Sequence, residues 1–518
     1  MNKKKVLAAA LALGMAMTTI SSTAMTAFAE EAEGVELTVG VSTMAQNISP
    51  FTNFTNRQPI QQYLYENLLY RDSDGVTHGV IAKDWTTEDN ITYDIEIYDY
   101  VYDTAGNQIK AEDVVYSLEH ARDEAANTWI VSAEETGDYT LTVTLTDDTA
   151  STFNTAFNRA PIVSIASYEA SEDGMAASVV STSPYMVTEF TANVSVTLER
   201  NPNYWQTDES LQNPLYSEST VQKLNYVKIS EASQQSIALE TGSVNAFREL
   251  SSTEISNFLE GGRDEEGYTA LGYESNISYI FYFANQGLCG EDVNLRAAIS
   301  YAIDKSAVVL GAFSGQAAVP TFMGSSISDL VPSSASEDYF AYDAELAQEY
   351  LANSSYNGET LRLLIPNEDN HSRIAAIVQG YLMAIGINVE IDTYDNAMFQ
   401  TNFGDGSTWD IAICQMGMAD VAFVWEFLSW DLSGGDAGAM GMAVQDEALD
   451  ELLTTVLSQE GHNVENATLV SDYINENFYG ENLVCGMNYY VFDDDLGAVE
   501  VPVIDIEIGQ EIACTVFE

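Results

Sequence analysis

Hydrophobic and polar residues alternate over four stretches of the first half of the chain: Val35-Leu37-Val39-Val41, Ile91-Tyr93-Ile95-Ile97, Leu141-Val143-Leu145 and Val194-Val196-Leu198. A period of two puts successive side chains on opposite faces, so each stretch predicts a half-buried strand. Elsewhere the period lengthens. Ala111 to His120 brings Val114, Val115 and Leu118 to one side, and Asp292 to Asp304 spaces Leu295, Ile299 and Ile303 four apart. Both predict amphipathic helices. Further on, Leu361-Leu363-Ile365 predicts a strand, and Ile374, Ile377, Val378, Tyr381 and Ile385 mark a helix that Gly386 stops as a C′ glycine. Ile387-Val389-Ile391 resumes the strand period, and an apolar strand over Trp409 to Cys414 follows. This order predicts an α/β protein whose mixed sheet is covered by helices, with ligands met at loops beyond strand ends. Ser251 to Glu266 reads as the most loop-like stretch.

The first residues break this pattern. Lys3, Lys4 and Lys5 precede an apolar run from Val6 to Met17 and the small-residue ending Ala27-Phe28-Ala29. That arrangement predicts a secretory signal peptide cleaved after Ala29. Its apolar core, about 12 residues, falls short of the roughly 20 needed to span a bilayer. The expected product is an exported, extracellular or envelope-associated chain.

Composition narrows the partners. Lys and Arg number 18 against 79 Asp and Glu, a formal charge of −61, which argues against nucleic acid and anionic membrane surfaces. Cys289, Cys414, Cys485 and Cys514 are widely spaced with no C-x-x-C pair, so buried thiols or one disulfide are expected and no metal site or cofactor. His78, His120, His371 and His462 are scattered. No H-E-x-x-H, G-x-S-x-G, P-loop or G-x-G-x-x-G motif occurs, and Asp147-Asp148 or Asp493-Asp494-Asp495 are the pairings expected by chance in so acidic a chain. The reading is therefore not an enzyme.

Ordered blocks carry a resemblance. Tyr65-Glu66-Asn67-Leu68-Leu69-Tyr70, the Gly75 turn, Ile81-Ala82-Lys83-Asp84-Trp85, and Tyr102-Asp103-Thr104-Ala105-Gly106 leading to Lys110-Ala111-Glu112-Asp113-Val114-Val115-Tyr116-Ser117-Leu118 come first. Ser183-Pro184-Tyr185, Leu198 to Trp205, Leu239 to Ala246, and Leu295 to Asp304 follow. In order and spacing the chain resembles the family-five solute-binding proteins of oligopeptide, dipeptide and nickel ABC importers. Most of these residues read as scaffold, Asp113 and Asn201 as helix-start or turn acceptors. The signal lacks the lipobox cysteine usual in Gram-positive relatives, and Phe247 and Arg248 stand near where many relatives have an acidic or small residue.

The resemblance implies a periplasmic-binding-protein-like, two-lobed (Venus flytrap) architecture with an extra third domain. Domain one would comprise 30–72, 183–282 and 486–518; domain two, 73–182; domain three, 283–485. It further implies a monomer that captures a peptide between its lobes and docks on an ABC permease in the membrane. Another solute (an oligosaccharide, a metal chelate or a small amine), a sensor or adhesion module on the same fold, and a secreted acidic hydrolase are the alternatives. Asp420, after the strand ending near Cys414, matches the aspartate that pairs with a peptide's α-ammonium, and Met418 and Trp425 flank it. His371 and Arg373 resemble positions near the ligand carboxylate and are expected to be exposed at a helix start.

Overall fold

A computed structural model describes residues 35–72, 75–125, 127–217, 219–250, 252–259, 267–336 and 338–496, with short strands between 499 and 517. The expected signal peptide and Cys514 lie outside the described residues, as does 260–266 of the loop-like stretch; Ser252–Ile255 of that stretch forms a helical turn.

One eleven-stranded sheet organises the chain. Its order is Asn388–Tyr394, Thr360–Pro366, Ile411–Gly417, Tyr268–Phe283, Gly480–Asp493, Ala246–Arg248, Val35–Val41, Val221–Lys228, Ser195–Arg200 and Tyr185–Thr191, with Ala317–Ala318 pairing on Gly480–Asp493. The alternating stretches at Val35, Leu141 and Val194 are all strands, the last running Ser195–Arg200. The sheet is mixed, as the β-α-β pattern predicts: Thr360–Pro366 runs parallel to both neighbours, while the central pair is antiparallel.

Two lobes hang on this sheet. In the first, Leu37, Val39, Ile48, Tyr63, Leu198 and Tyr226 pack one core. In the second, helices cover both faces. Leu363, Ile374, Val378 and Ile413 pack on one side, and Leu364, Cys414, Met418 and Trp425 on the other, as the side-chain alternation of a buried strand requires. A separate four-stranded sheet, in the order Ala82–Thr87, Thr92–Ile97, Thr140–Leu145, Ile130–Gly137, has its own core of Tyr93, Ile95, Val114, Leu118, Val143 and Phe157. Glu66 ties the blocks together: it is buried, accepting from the Tyr204 hydroxyl at 2.5 Å and from Trp205 Nε1 at 2.9 Å. Burial pushes its carboxyl up to about 7.

Acidic residues do much of the capping in the second lobe. Asp292, Asp304, Asp343, Asp395, Asp420 and Asp446 each accept backbone N–H groups at a helix start. One cap changes an expectation. The helical period from Asp292 to Asp304 is two elements, because the first helix ends at Tyr301 and Asp304, accepting from the Ser306 and Ala307 amides, starts Lys305–Phe313. Asp113 and Asn201 are acceptors as expected: Asp113 receives the Lys110 and Ile165 amides, and Asn201 the Asn203 amide. Gly386, at φ 99°, ends the Asp369–Ala384 helix in the left-handed region. Cys289, Cys414 and Cys485 are buried free thiols.

The crossing between lobes lies in Tyr268–Phe283 and Gly480–Asp493. These strands pair in register up to Glu274↔Met487 and resume at Ser278↔Cys485, so Ser275, Asn276 and Ile277 face the single residue Gly486. Such an insertion bends a strand locally. A Cβ on Gly486 would meet Ser275 Oγ at 3.1 Å, a tight approach that the serine would have to yield to. Around the bend, Asn276 O accepts from Met418 N at 2.6 Å, Ser275 O from Ser325 Oγ at 3.3 Å, and Glu274 from both the Ser326 amide and hydroxyl.

Candidate functional site

The strand register fixes where a ligand site can form. Ala246–Arg248 runs in the direction of Tyr268–Phe283, since both are antiparallel to Gly480–Asp493; its carboxyl end therefore points toward the bend at 275–277. Ile411–Gly417 runs the opposite way, with Gly417 paired to Ile277. The carboxyl edges of the two lobes thus face each other across the bend. Loops beyond carboxyl ends of strands are the usual ligand-binding regions of open α/β sheets.

Asp420 stands on this edge, three residues beyond Gly417. Its Oδ1 accepts from Phe423 N at 3.0 Å, capping Val421–Glu426. Burial, and then the neighbouring Asp329, push its carboxyl up to about 6. Glu426, on the same short helix, is raised to about 7 by burial and by the Asp420 and Asp147 charges. Asp147 thus lies within electrostatic reach of Asp420's helix, although its pairing with Asp148 had read as chance.

Asp329 is the centre of the cluster, with its side chain 1% exposed. Oδ1 accepts from Val421 N at 3.0 Å; Oδ2 receives His462 Nε2 at 2.7 Å and Arg71 Nη1 at 3.4 Å. His462 Nδ1 lies 3.1 Å from the Val456 carbonyl. Both ring nitrogens face acceptors, so both must donate and His462 is the imidazolium. Burial alone would lower the His462 pKa, yet its bond to Asp329 raises it; Asp329 in turn is held below the usual carboxylate range by His462 and Arg71 despite its burial. Arg71 comes from the strand Leu69–Arg71, which packs with the four-stranded sheet, and so joins that block to the second lobe. A second junction lies nearby: Gln459 donates from Nε2 to the Tyr93 hydroxyl at 2.6 Å and from its backbone to Asp148 O at 3.1 Å, and Ser458 bridges Thr149.

The other expected site residues spread over both faces of the second lobe. Met418 and Trp425 are core side chains, Trp425 Nε1 donating to Met323 O at 2.8 Å. His371 is not exposed, contrary to expectation. It is 1% accessible and lies against the Tyr279 ring, because the first turn of its helix docks on the sheet; burial lowers its pKa. Arg373 does face outward, 55% exposed, with Nη1 donating to Ala312 O at 3.2 Å. The sequence marks none of Arg71, Asp329 and Glu426, and His462 reads there only as one of four scattered histidines. The most distant of them, Arg71 and His462, are 391 residues apart, and only the notice that each is a polar residue beside apolar runs could have marked them.

Comparison with known proteins agrees with this architecture. A family model described as bacterial extracellular solute-binding proteins, family 5 Middle, matches residues 77–439. The oligopeptide-binding protein OppA of Bacillus subtilis (strain 168) is 24% identical over 375 residues, which are 63% of this chain and 65% of that protein's length. The nickel-binding protein NikA of Staphylococcus aureus (strain NCTC 8325 / PS 47) is 20% identical over 84% of this chain and 85% of its own. The structure of HbpA2 from Haemophilus parasuis superposes with a TM-score of 0.79 at 17% identity, covering 93% of this chain and all of that one. With the family model matched over residues 77–439, most of its length, the chain belongs to the family 5 bacterial extracellular solute-binding proteins.

Proposed function

We propose that the protein is the capture component of an ABC importer, that its solute is a peptide, and that it binds between the lobes and is handed to a membrane permease. The observation that carries this reading is the convergence of both carboxyl edges on the bend at Ser275–Ile277, with Asp420 capping the helix that follows one of them. A buried carboxylate needs a cation to offset its desolvation, so the site favours a free amine. Asp420 is the proposed α-ammonium partner. Met418 and Trp425 hold its loop from the core, and His371 and Arg373 line the same edge from the other face. The lobes correspond to 30–72, 183–282 and 486–518 with 73–182 attached, against 283–485, acting as a monomer without nucleic acid and without catalysis. Among the described residues no helix is long and apolar enough to cross a membrane, which fits an exported chain delivered to a separate permease. Native mass spectrometry of the purified protein tests the proposal. Peptides co-released on denaturation support it; a sugar or a metal chelate in their place would overturn the peptide assignment.

A further inference from the structure

Arg57 is the exception among the arginines. Arg71, Arg122, Arg248, Arg362 and Arg373 each lie within 4.0 Å of a carboxylate. Arg200 and Arg296 donate to backbone carbonyls instead. Arg57 is 3% exposed and has neither: among the described residues no acid lies within ion-pair distance, no hydrogen bond from its side chain is formed, and Nε is enclosed without a partner. In a chain with 79 acidic residues, an arginine buried away from every carboxylate among the described residues is a marked departure. A guanidinium does not escape the cost of burial by losing its proton, so it calls for an anion from elsewhere.

Its position says where that anion would come from. Arg57 ends the turn Phe54–Arg57, in the connection that leaves the carboxyl end of Val35–Val41. Two residues later, Pro59 O accepts from Arg248 Nη1 at 3.5 Å. Arg248 closes Ala246–Arg248, whose carboxyl end points to the bend. Both arginines therefore belong to segments at the first lobe's carboxyl edge. The acids Asp420, Glu426 and Asp329 stand on the opposing edge.

We infer that Arg57, carried at the same strand edge as Arg248, is a ligand-carboxylate receptor on the first lobe, so that the captured solute carries an anionic group at this end. The inference rests on the proposed interlobe capture. A planar carboxylate matches the guanidinium fork in a bidentate arrangement that an ammonium such as lysine cannot reproduce. Without that ligand the charge is uncompensated, so the arginine is a stability cost borne for binding.

The test uses trialanine and its C-terminal amide, titrated by calorimetry into wild type, Arg57→Gln and Arg57→Lys. Expected is at least tenfold weaker binding of the amide in wild type, a similar loss of trialanine binding in Arg57→Gln, little further loss when both changes combine, and partial retention in Arg57→Lys. The empty Arg57→Gln protein should melt no lower than wild type. Equal binding of trialanine and its amide overturns the inference and leaves interlobe peptide capture standing. If neither peptide binds, the peptide assignment fails, and thermal shift with succinate decides the inference separately: stabilisation of wild type but not of Arg57→Gln upholds it, and no difference overturns it.

Discussion

Arg71 and Asp329, 258 residues apart in the chain, meet at 3.4 Å across the junction between the four-stranded sheet and the second lobe, and His462 completes the contact from the far side of Asp329. Asp329 is the shared anion of two cations, so removing it differs from removing either. Asp329→Ala leaves a buried imidazolium and a nearly buried guanidinium without their partner, and should destabilise the protein by roughly 3–5 kcal/mol. Arg71→Met leaves the shorter His462 bond intact and should cost about 1 kcal/mol or less. Denaturant unfolding of both variants checks the ranking; a larger loss for Arg71→Met would place the stability elsewhere.

The acids around Asp329 set a direction for pH. Asp420 and Glu426, with pKa values moved to about 6 and about 7 from 3.8 and 4.5, bind more protons folded than unfolded between those limits. Stability therefore falls as pH rises through that window. His462 acts the same way, its contribution complete below the ordinary value of 6.5 and lost as pH climbs past its raised one. Asp329, depressed, opposes them only toward acid, its contribution lost as pH falls through its folded value. Thermal melts of the empty protein should rise from pH 7.5 to 5.5, and Glu426→Gln should flatten that rise.

Asp420→Asn keeps the shape of the side chain and its helix cap while removing the charge. A free-amino peptide should bind at least tenfold more weakly, about 1.4 kcal/mol. N-acetylating the peptide should produce a similar loss in wild type and little more in the variant, because both delete one pair. Unchanged affinity by calorimetry would leave Asp420 as a helix cap alone.

Gly486 faces the three-residue bend, where a new Cβ lies 3.1 Å from Ser275 Oγ. Gly486→Val adds two further methyl groups there, so the bend must shift or stiffen. The expected result is a lower melting temperature, by a few degrees, with a reduced ligand-induced change in radius of gyration by small-angle scattering. Wild-type compaction in the variant would show that lobe movement does not depend on this residue.

Local features of the fold were legible because they depend on neighbours in sequence. The Val35–Val41 alternation, the Gly386 stop and the acceptor roles of Asp113 and Asn201 each follow from a few adjacent residues. The break before Asp304 was missed although its signal was present, since the four-residue spacing of Leu295, Ile299 and Ile303 outweighed an aspartate that caps the next helix. The burial of His371 depends on how a helix docks against Tyr279, 92 positions earlier, and no local period records that. The cluster of Arg71, Asp329, Asp420 and His462 is assembled entirely by long-range folding. Of its members only Asp420 was found, through the resemblance and not through any property of its neighbourhood.

The bend at Ser275–Ile277 also limits how the halves can travel. Tyr268–Phe283 and Gly480–Asp493 are hydrogen-bonded to each other on both sides of it, and so form one ribbon instead of two separate tethers. Sliding one strand along the other would break every rung of the ladder, and a slip by a single residue would turn buried side chains outward. Flexing at Ser275–Ile277, which have no partner on Gly480–Asp493, breaks no rung of that ladder. The soft coordinate is thus a fold across the ribbon, and each excursion brings the same stretches of the two carboxyl edges back opposite one another.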